Sequence, residues 1–133
     1  MRADLDEALV RDFPHLYSAR HTNKPGSCMS SGFCCGNGWE PLIRRCSEKI
    51  EREIRSLPED LRTEFYAVQL KEKYGTLRLY LSRFNEQMEE AVSIAETESS
   101  VTCEVCGDPG KLRVNGWLRT LCSKDNKSKS SNR

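Results

Sequence analysis

Three cysteines near the C-terminal end stand at a spacing that can gather a metal ion. Residues 103–125 read CEVCGDPGKLRVNGWLRTLCSKD, so two residues separate Cys103 from Cys106 and fifteen separate Cys106 from Cys122. Two thiolates three positions apart can reach one ion across a tight turn, and Gly107 lets the backbone fold back behind them. Asn115-Gly116, between LRV and WLRTLC, is a two-residue hairpin signal. That hairpin would return the chain so that Cys122 meets the first pair. The spacing lies in the range of structural zinc sites, which are tetrahedral with cysteine and histidine ligands. It predicts one structural zinc ion in a zinc-ribbon or treble-clef-like finger over residues 101–125. The competing reading, three free thiols around a plain hairpin, leaves the agreement of knuckle, turn and third cysteine unexplained.

The fourth ligand is open. Asp125 stands three residues after Cys122, and a carboxylate oxygen binds zinc at about 2.0–2.2 Å but is the rarer choice in structural sites. His21, a cysteine from the 28–35 loop, or water are the alternatives. Of the seven cysteines, the earlier four are weaker candidates. Cys46 falls on the apolar stripe of a helix and reads as a small buried hydrophobe. Cys28, Cys34 and Cys35, with His21 nearby, would make a second metal site, but their spacing matches no ligand pattern and loop packing is expected. His15, in FPHLY, reads as a partly buried, satisfied side chain.

The elements that must position these groups follow from period and punctuation. Residues 4–12 form a short helix stopped by Pro14, and 21–38 are dense in Gly, Ser, Asn and Pro, hence loop. Helix 39–57 carries Trp39, Leu42, Ile43, Cys46, Ile50 and Ile54 at three- and four-residue spacing, with Pro41 in its first turn and Pro58 at its end. Residues 67–82 alternate around Gly75 and predict a hairpin, Leu77, Leu79 and Leu81 facing the core and Lys71, Lys73, Arg78 and Tyr80 facing out. Helix 85–99 has Phe84, Met88, Ala91, Val92 and Ala95 as its buried stripe and five glutamates on the other side. The fold class is therefore α+β: a body over 1–100, helices packed on a β-hairpin, then the finger at 101–125 and a flexible basic tail at 126–133.

Composition bounds what such a chain does. It has 133 residues, 37% of them apolar and 31% charged, and a mean hydropathy of −0.68. That suits one compact domain, or a small domain with an appended module. No apolar run approaches the ~18 residues of a membrane span, and positions 1–20 lack the features of a secretory signal. A soluble cytoplasmic protein is expected, with no membrane partner and with thiols rather than disulfides. The net charge is +1, but residues 123–133 hold four basic groups and one acid, which leaves the rest at −2. A domain gripping duplex DNA carries a clear basic excess.

The segments CGNGWEPLIRRC, VQLKEKYGTLRLYL, AETESS and CEVCGDPGKLRVNGWLRTLC, in this order, resemble a group of small uncharacterised proteins of tailed phages and prophages. The likeness covers roughly residues 28–125. It implies a phage or prophage origin and a zinc finger, but no reaction; the cytoplasm expected above is then that of a host cell. In that group the last ligand pair is Cys-x2-His, so Asp125 departs from the pattern.

Enzyme readings fail on the residues. No ligand–x–Glu with Pro-Cys-x-x-Cys follows, as a zinc deaminase requires, and Thr102 stands where the proline belongs. No histidine follows His21, and there is no phosphate loop, nucleophile elbow or His-Glu-x-x-His. Cys34 or Cys35 would be the nucleophile if there were one. A non-enzymatic binding protein is expected. The first partner class is a host protein, met through the acidic face Glu86, Glu89, Glu90, Glu96 and Glu98, with inhibition of a defence or nucleic-acid-processing complex as its specific version. The second is nucleic acid, held by Lys71, Lys73, Arg78 and Tyr80 on the hairpin, Arg113, Trp117 and Arg119 on the finger, and the basic tail.

Overall fold

The apolar stripe of the longest helix organises the molecule. In the computed structural model, which describes residues 1–131, the helices α1 (Ala3–Asp12) and α2 (Glu40–Arg55) are joined by a long loop. Leu42, Ile43, Cys46, Ile50 and Ile54 of α2 are all buried, as their spacing requires. A 3₁₀ turn, Asn37–Trp39, leads into the helix, and Trp39 is fully buried. Phe13, Leu16 and Tyr17 continue the core beyond α1. Tyr17 meets the ring of Phe33 edge-on with centroids 4.8 Å apart, and its hydroxyl shares a 2.6 Å hydrogen bond with Ser47.

The loop does not wander. It runs beside strand β1 (Ala67–Lys73), with Cys28 N–H donating to Val68 O (2.6 Å), Cys34 N–H to Leu70 O (3.1 Å) and Glu72 N–H to Cys34 O (3.0 Å). One edge of β1 is thereby covered, and β2 (Thr76–Leu81) pairs antiparallel with the other, Leu70 opposite Leu79 and Lys71 opposite Arg78. The turn is Tyr74-Gly75, both with positive φ (54° and 85°), the geometry whose twist suits a two-residue hairpin. A short helix α3 (Glu59–Arg62), which the sequence pattern does not announce, precedes β1.

Helix α4 (Glu86–Ser99) packs on α2 and β2. Asn85 caps it, its Oδ1 accepting from Met88 N–H at 2.9 Å. Met88, Ala91 and Ala95 are buried and Val92 partly so. Phe84, expected in this stripe, is 58% exposed, because it precedes the cap and lies off the helix's periodic face. The chain then forms a second antiparallel hairpin, β3 (Lys111–Arg113) and β4 (Arg119–Leu121), and ends in α5 (Ser123–Ser131). Two hairpins among helices make the α+β class. Among the described residues no helix is long and apolar enough to cross a membrane.

Two expectations change here. Arg113 pairs with Arg119, so a five-residue loop, 114–118, replaces the two-residue Asn-Gly turn. The register of β4 is set by contacts outside the hairpin: Glu104 N–H donates to Thr120 O (3.0 Å) and Thr120 Oγ1 to Gly75 O (2.6 Å). The backbone is also helical from Ser123 to Ser131, where the composition predicts a loose tail. The cause lies before it, since Cys122 O accepts from Asn126 N–H (3.0 Å) and Cys122 Sγ from Asp125 N–H (3.4 Å), starting the helix from outside. The last two tail positions, 132 and 133, lie outside the described residues.

A buried carboxylate of the body, Glu51, joins α2 to the segment after α1. Glu51, on α2, accepts from Leu16 N–H (2.9 Å), His15 N–H (3.3 Å), His15 Nδ1 (2.7 Å) and Arg55 Nε (3.1 Å). His15 is thus satisfied, as the sequence suggests. Burial alone would raise the Glu51 carboxyl, but the hydrogen bonds from Leu16, His15 and Arg55 outweigh it and hold it below the usual carboxylate value. A carboxyl lowered in the folded state contributes stability above its unfolded pKa, about 4.3, and loses it as pH falls through the lower folded value. Glu51→Ala is expected to cost roughly 3 kcal/mol near neutral pH, since it leaves buried donors unpaired. Urea unfolding at neutral and acid pH checks both points, the gap between wild type and variant narrowing in acid.

Candidate metal centre

The four residues nominated at the C-terminal end converge. One ligand atom each from Cys103, Cys106, Cys122 and Asp125 lies within 4.8 Å of all the others. Cys103 Sγ and Cys122 Sγ are each 3.1 Å from Asp125 Oδ2, and Cys106 Sγ is 3.7 Å from Cys122 Sγ. Such a group could hold one metal ion.

Each ligand is placed by ordinary local structure. After Cys103 the chain turns back on itself, with Gly107 N–H donating to Cys103 O (2.9 Å) and Cys103 N–H to Asp108 O (2.7 Å). Gly107 has φ +86°, the conformation the knuckle needs and a side chain resists. Strand β4 delivers Cys122, and the first turn of α5 brings Asp125 round to the same side. Around Cys106 the Asp108 backbone N–H favours the thiolate, but Asp125, Cys103 and Cys122 outweigh it and push the thiol up to about 12. Hydrogen bonds from Cys106, Cys103 and Cys122 hold the Asp125 carboxyl below its usual value. A metal ion binding here displaces thiol protons.

The centre is clasped to the body rather than hung from it. Glu104, between the two knuckle cysteines, is buried; its carbonyl accepts from Gly38 N–H (2.7 Å) and its Oε2 from Gly36 N–H (2.9 Å). Arg119 of β4 pairs with the same carboxylate at 3.3 Å. Trp39 Nε1 donates to Thr102 O at 2.9 Å, on the residue just before Cys103. A Cβ on Gly38 would lie 2.2 Å from Cys103 O and 2.5 Å from Gly107 N. Sequence reasoning missed Glu104, Gly36 and Gly38 as parts of the centre. Their one signal was the closely spaced glycine pair in CGNGW, the residue type that permits such close backbone approach.

The other nominated ligands do not join. His21 Nε2 sits 3.0 Å from Glu7 Oε1, so His21 is excluded as the fourth ligand. Among the described residues, Cys28, Cys34 and Cys35 form no group with a histidine or carboxylate that could hold a second ion. Cys28 and Cys34 are exposed while Cys35 is buried, and the loop hydrogen bonds to β1 spread them along the strand. Burial, followed by the nearby Glu104 charge, pushes the Cys35 thiol up to about 12. Cys34 Sγ lies 3.6 Å from the carbonyls of Ser31 and Gly32. Cys46 is buried against Ala91 O (3.4 Å), as expected of a packing cysteine.

The candidate partner faces are thinned by internal pairing. On α4, Glu96 faces Arg78 (3.7 Å) and Glu98 faces Arg45 (2.5 Å), leaving Glu86, Glu89 and Glu90 as the exposed acids. On the basic side Arg119 is taken by Glu104 and Arg113 Nε donates to Leu121 O (3.1 Å). Tyr80 is 43% exposed. Trp117 is 76% exposed beside Lys71, Lys73 and Tyr74, where the two hairpins meet.

Replacing Asp125 with alanine is expected to weaken metal binding by roughly 100-fold, the scale on which altered coordination acts. His21→Ala should leave it unchanged. Competition with a chromogenic chelator measures both.

No family model, curated protein or solved structure matches the chain. Fold and site define it on their own terms: an α+β protein whose C-terminal cysteines and Asp125 could bind one metal ion.

Proposed function

We propose that the protein is a zinc-stabilised phage or prophage accessory protein that works by occupying a host protein in the cytoplasm, without chemistry of its own. Zinc is the ion the donor set favours, since thiolates select it over harder divalent cations. The 3.7 Å between Cys106 and Cys122 Sγ is close to the edge of a tetrahedron with Zn–S bonds of about 2.3 Å, ~3.8 Å. Knuckle, hairpin and a helix that starts at the second ligand pair follow the outline of a treble-clef finger. Four protein ligands leave no position for substrate, so the ion's role is structural. Asp125→His, which restores the Cys-x2-His of the resembling phage proteins, is expected to keep the ion. The host assignment rests on that resemblance.

The observation that carries a protein partner is the set of exposed apolar side chains on the second hairpin: Trp117 is 76%, Val114 72% and Leu112 47% exposed, with Tyr74 (66%) lining the same cleft as Trp117. Trp and Tyr dominate binding energy at protein interfaces. Nucleic acid is less well served, because Arg78, Arg113 and Arg119 are engaged internally and only Lys71 and Lys73 remain beside the aromatics. Charge mimicry by α4 loses support for the same reason, through the pairing of Glu96 and Glu98. The buried thiol of Cys35, which burial keeps protonated, favours a binding role over nucleophilic chemistry there.

Native mass spectrometry tests the ion, with one zinc per chain expected. Affinity for mixed single- and double-stranded DNA at low and moderate salt tests the partner class. No binding at low salt is expected; tight binding that falls steeply with salt would overturn the reading in favour of nucleic acid.

A further inference from the structure

The turn of the first hairpin packs against the strands of the second, at the paired residues Leu112 and Thr120. Thr120 Oγ1 donates to Gly75 O at 2.6 Å in a buried contact, and a Cβ on Gly75 would lie 2.6 Å from Leu112 Cδ1. The junction is closely packed there, and it bounds an open cleft of about 450 Å³. One wall is β1 with Lys71 and Lys73, the other is the 114–118 loop with Trp117 and Leu118, and Tyr74 stands at the turn. The single acid in the lining, Glu72, is engaged at the turn, its Oε2 accepting from Gly75 N–H at 2.7 Å.

An exposed tryptophan and tyrosine beside two lysines form an apolar seat with a cationic rim. We infer that the cleft is the docking site for an acidic segment of a partner protein, one that places an apolar side chain between Tyr74 and Trp117 and its carboxylates on Lys71 and Lys73. The inference rests on the protein-partner reading above and adds the surface and the chemistry of what it receives. A basic segment would meet the lysines, and a mixed, uncharged one would leave their field unused. A nucleic-acid strand would need phosphate contacts beyond two lysines to hold at physiological salt.

Fluorescence anisotropy tests it with a labelled peptide in which glutamates flank a Leu-Phe pair, its lysine-flanked counterpart, and labelled oligothymidylate. Wild type is expected to bind the acidic peptide and neither of the others. Trp117→Ala, a change at a largely exposed side chain, should weaken binding about thirtyfold, the scale of an interface hot spot. Lys71→Glu with Lys73→Glu should weaken it at least as much and remove its salt dependence, while circular dichroism remains that of wild type. Equal binding of the basic peptide, tighter binding of oligothymidylate, or full affinity in both variants would overturn the inference. Capture from host lysate separates this from the wider reading. If wild type captures no protein, the protein-partner reading fails. If both variants capture the same protein as wild type, that reading stands and the cleft is not the site.

Discussion

Cys103→Ser is expected to abolish stoichiometric metal binding and to lower the melting temperature by about 15 °C at a free zinc concentration of roughly a thousand times Kd, where the bound ion is worth about 4 kcal/mol. The reason is geometric as well as chemical. Cys103 is fully buried and forms the small second core with Leu121 and Cys122, and its backbone carries both the knuckle turn and the contact to Gly38. The substitution also weakens the contacts by which Asp125 ties α5 to Cys103 and Cys122. Limited proteolysis should then cut within residues 100–131 while the α1–α4 body resists. Cys34→Ser, at an exposed cysteine outside the cluster, is the control and should change neither metal content nor melting. A Cys103→Ser protein that still binds one equivalent of zinc with wild-type affinity would exclude the centre described above.

Gly38→Ala should damage the same centre from the far side of the sequence. The added methyl has no room: Cys103 O, Gly107 N and Glu104 O would lie at 2.2, 2.5 and 2.7 Å, all of them backbone atoms. Either the knuckle shifts or the loop leading into α2 withdraws, and withdrawal pulls Trp39 from the core and from Thr102 O. Overpacking costs typically 1–3 kcal/mol and more where backbone must move, so a loss of roughly 3 kcal/mol is expected. The sharper readout is metal affinity, which should fall at least about tenfold, although Gly38 offers no ligand. Chemical denaturation with and without zinc measures both. Wild-type zinc affinity in a clearly destabilised Gly38→Ala protein would mean that knuckle and body are independent.

Much of the fold was legible because local signals and tertiary packing agree. The period of α2, the buried stripe of α4, and the alternation around Gly75 each specify an element whose apolar face has one place to go. Phe84 misled because an apolar residue one step before an N-cap has the right sequence spacing but is not on the helix. The Asn115-Gly116 turn misled because its strong local preference is overridden by β4's anchors to Glu104 and Gly75. Helix α5 was invisible for the opposite reason, since SKDNKSKSS has no apolar face and its start is supplied by Cys122.

Within the centre, the amino-acid sequence by itself determined that Cys103, Cys106 and Cys122 form one set and that Asp125 stands in position to join it. Short spacing across a knuckle and the first turn of a helix restricts where those side chains can point. Only the tertiary structure decided that Asp125 joins and His21 does not, that Glu104 is a buried clasp rather than a surface acid, and which arginines and glutamates cancel one another. Those outcomes depend on residues tens of positions apart. Spacing along a chain carries no information about contacts at that range until the core of α2, α4 and the first hairpin has brought them together.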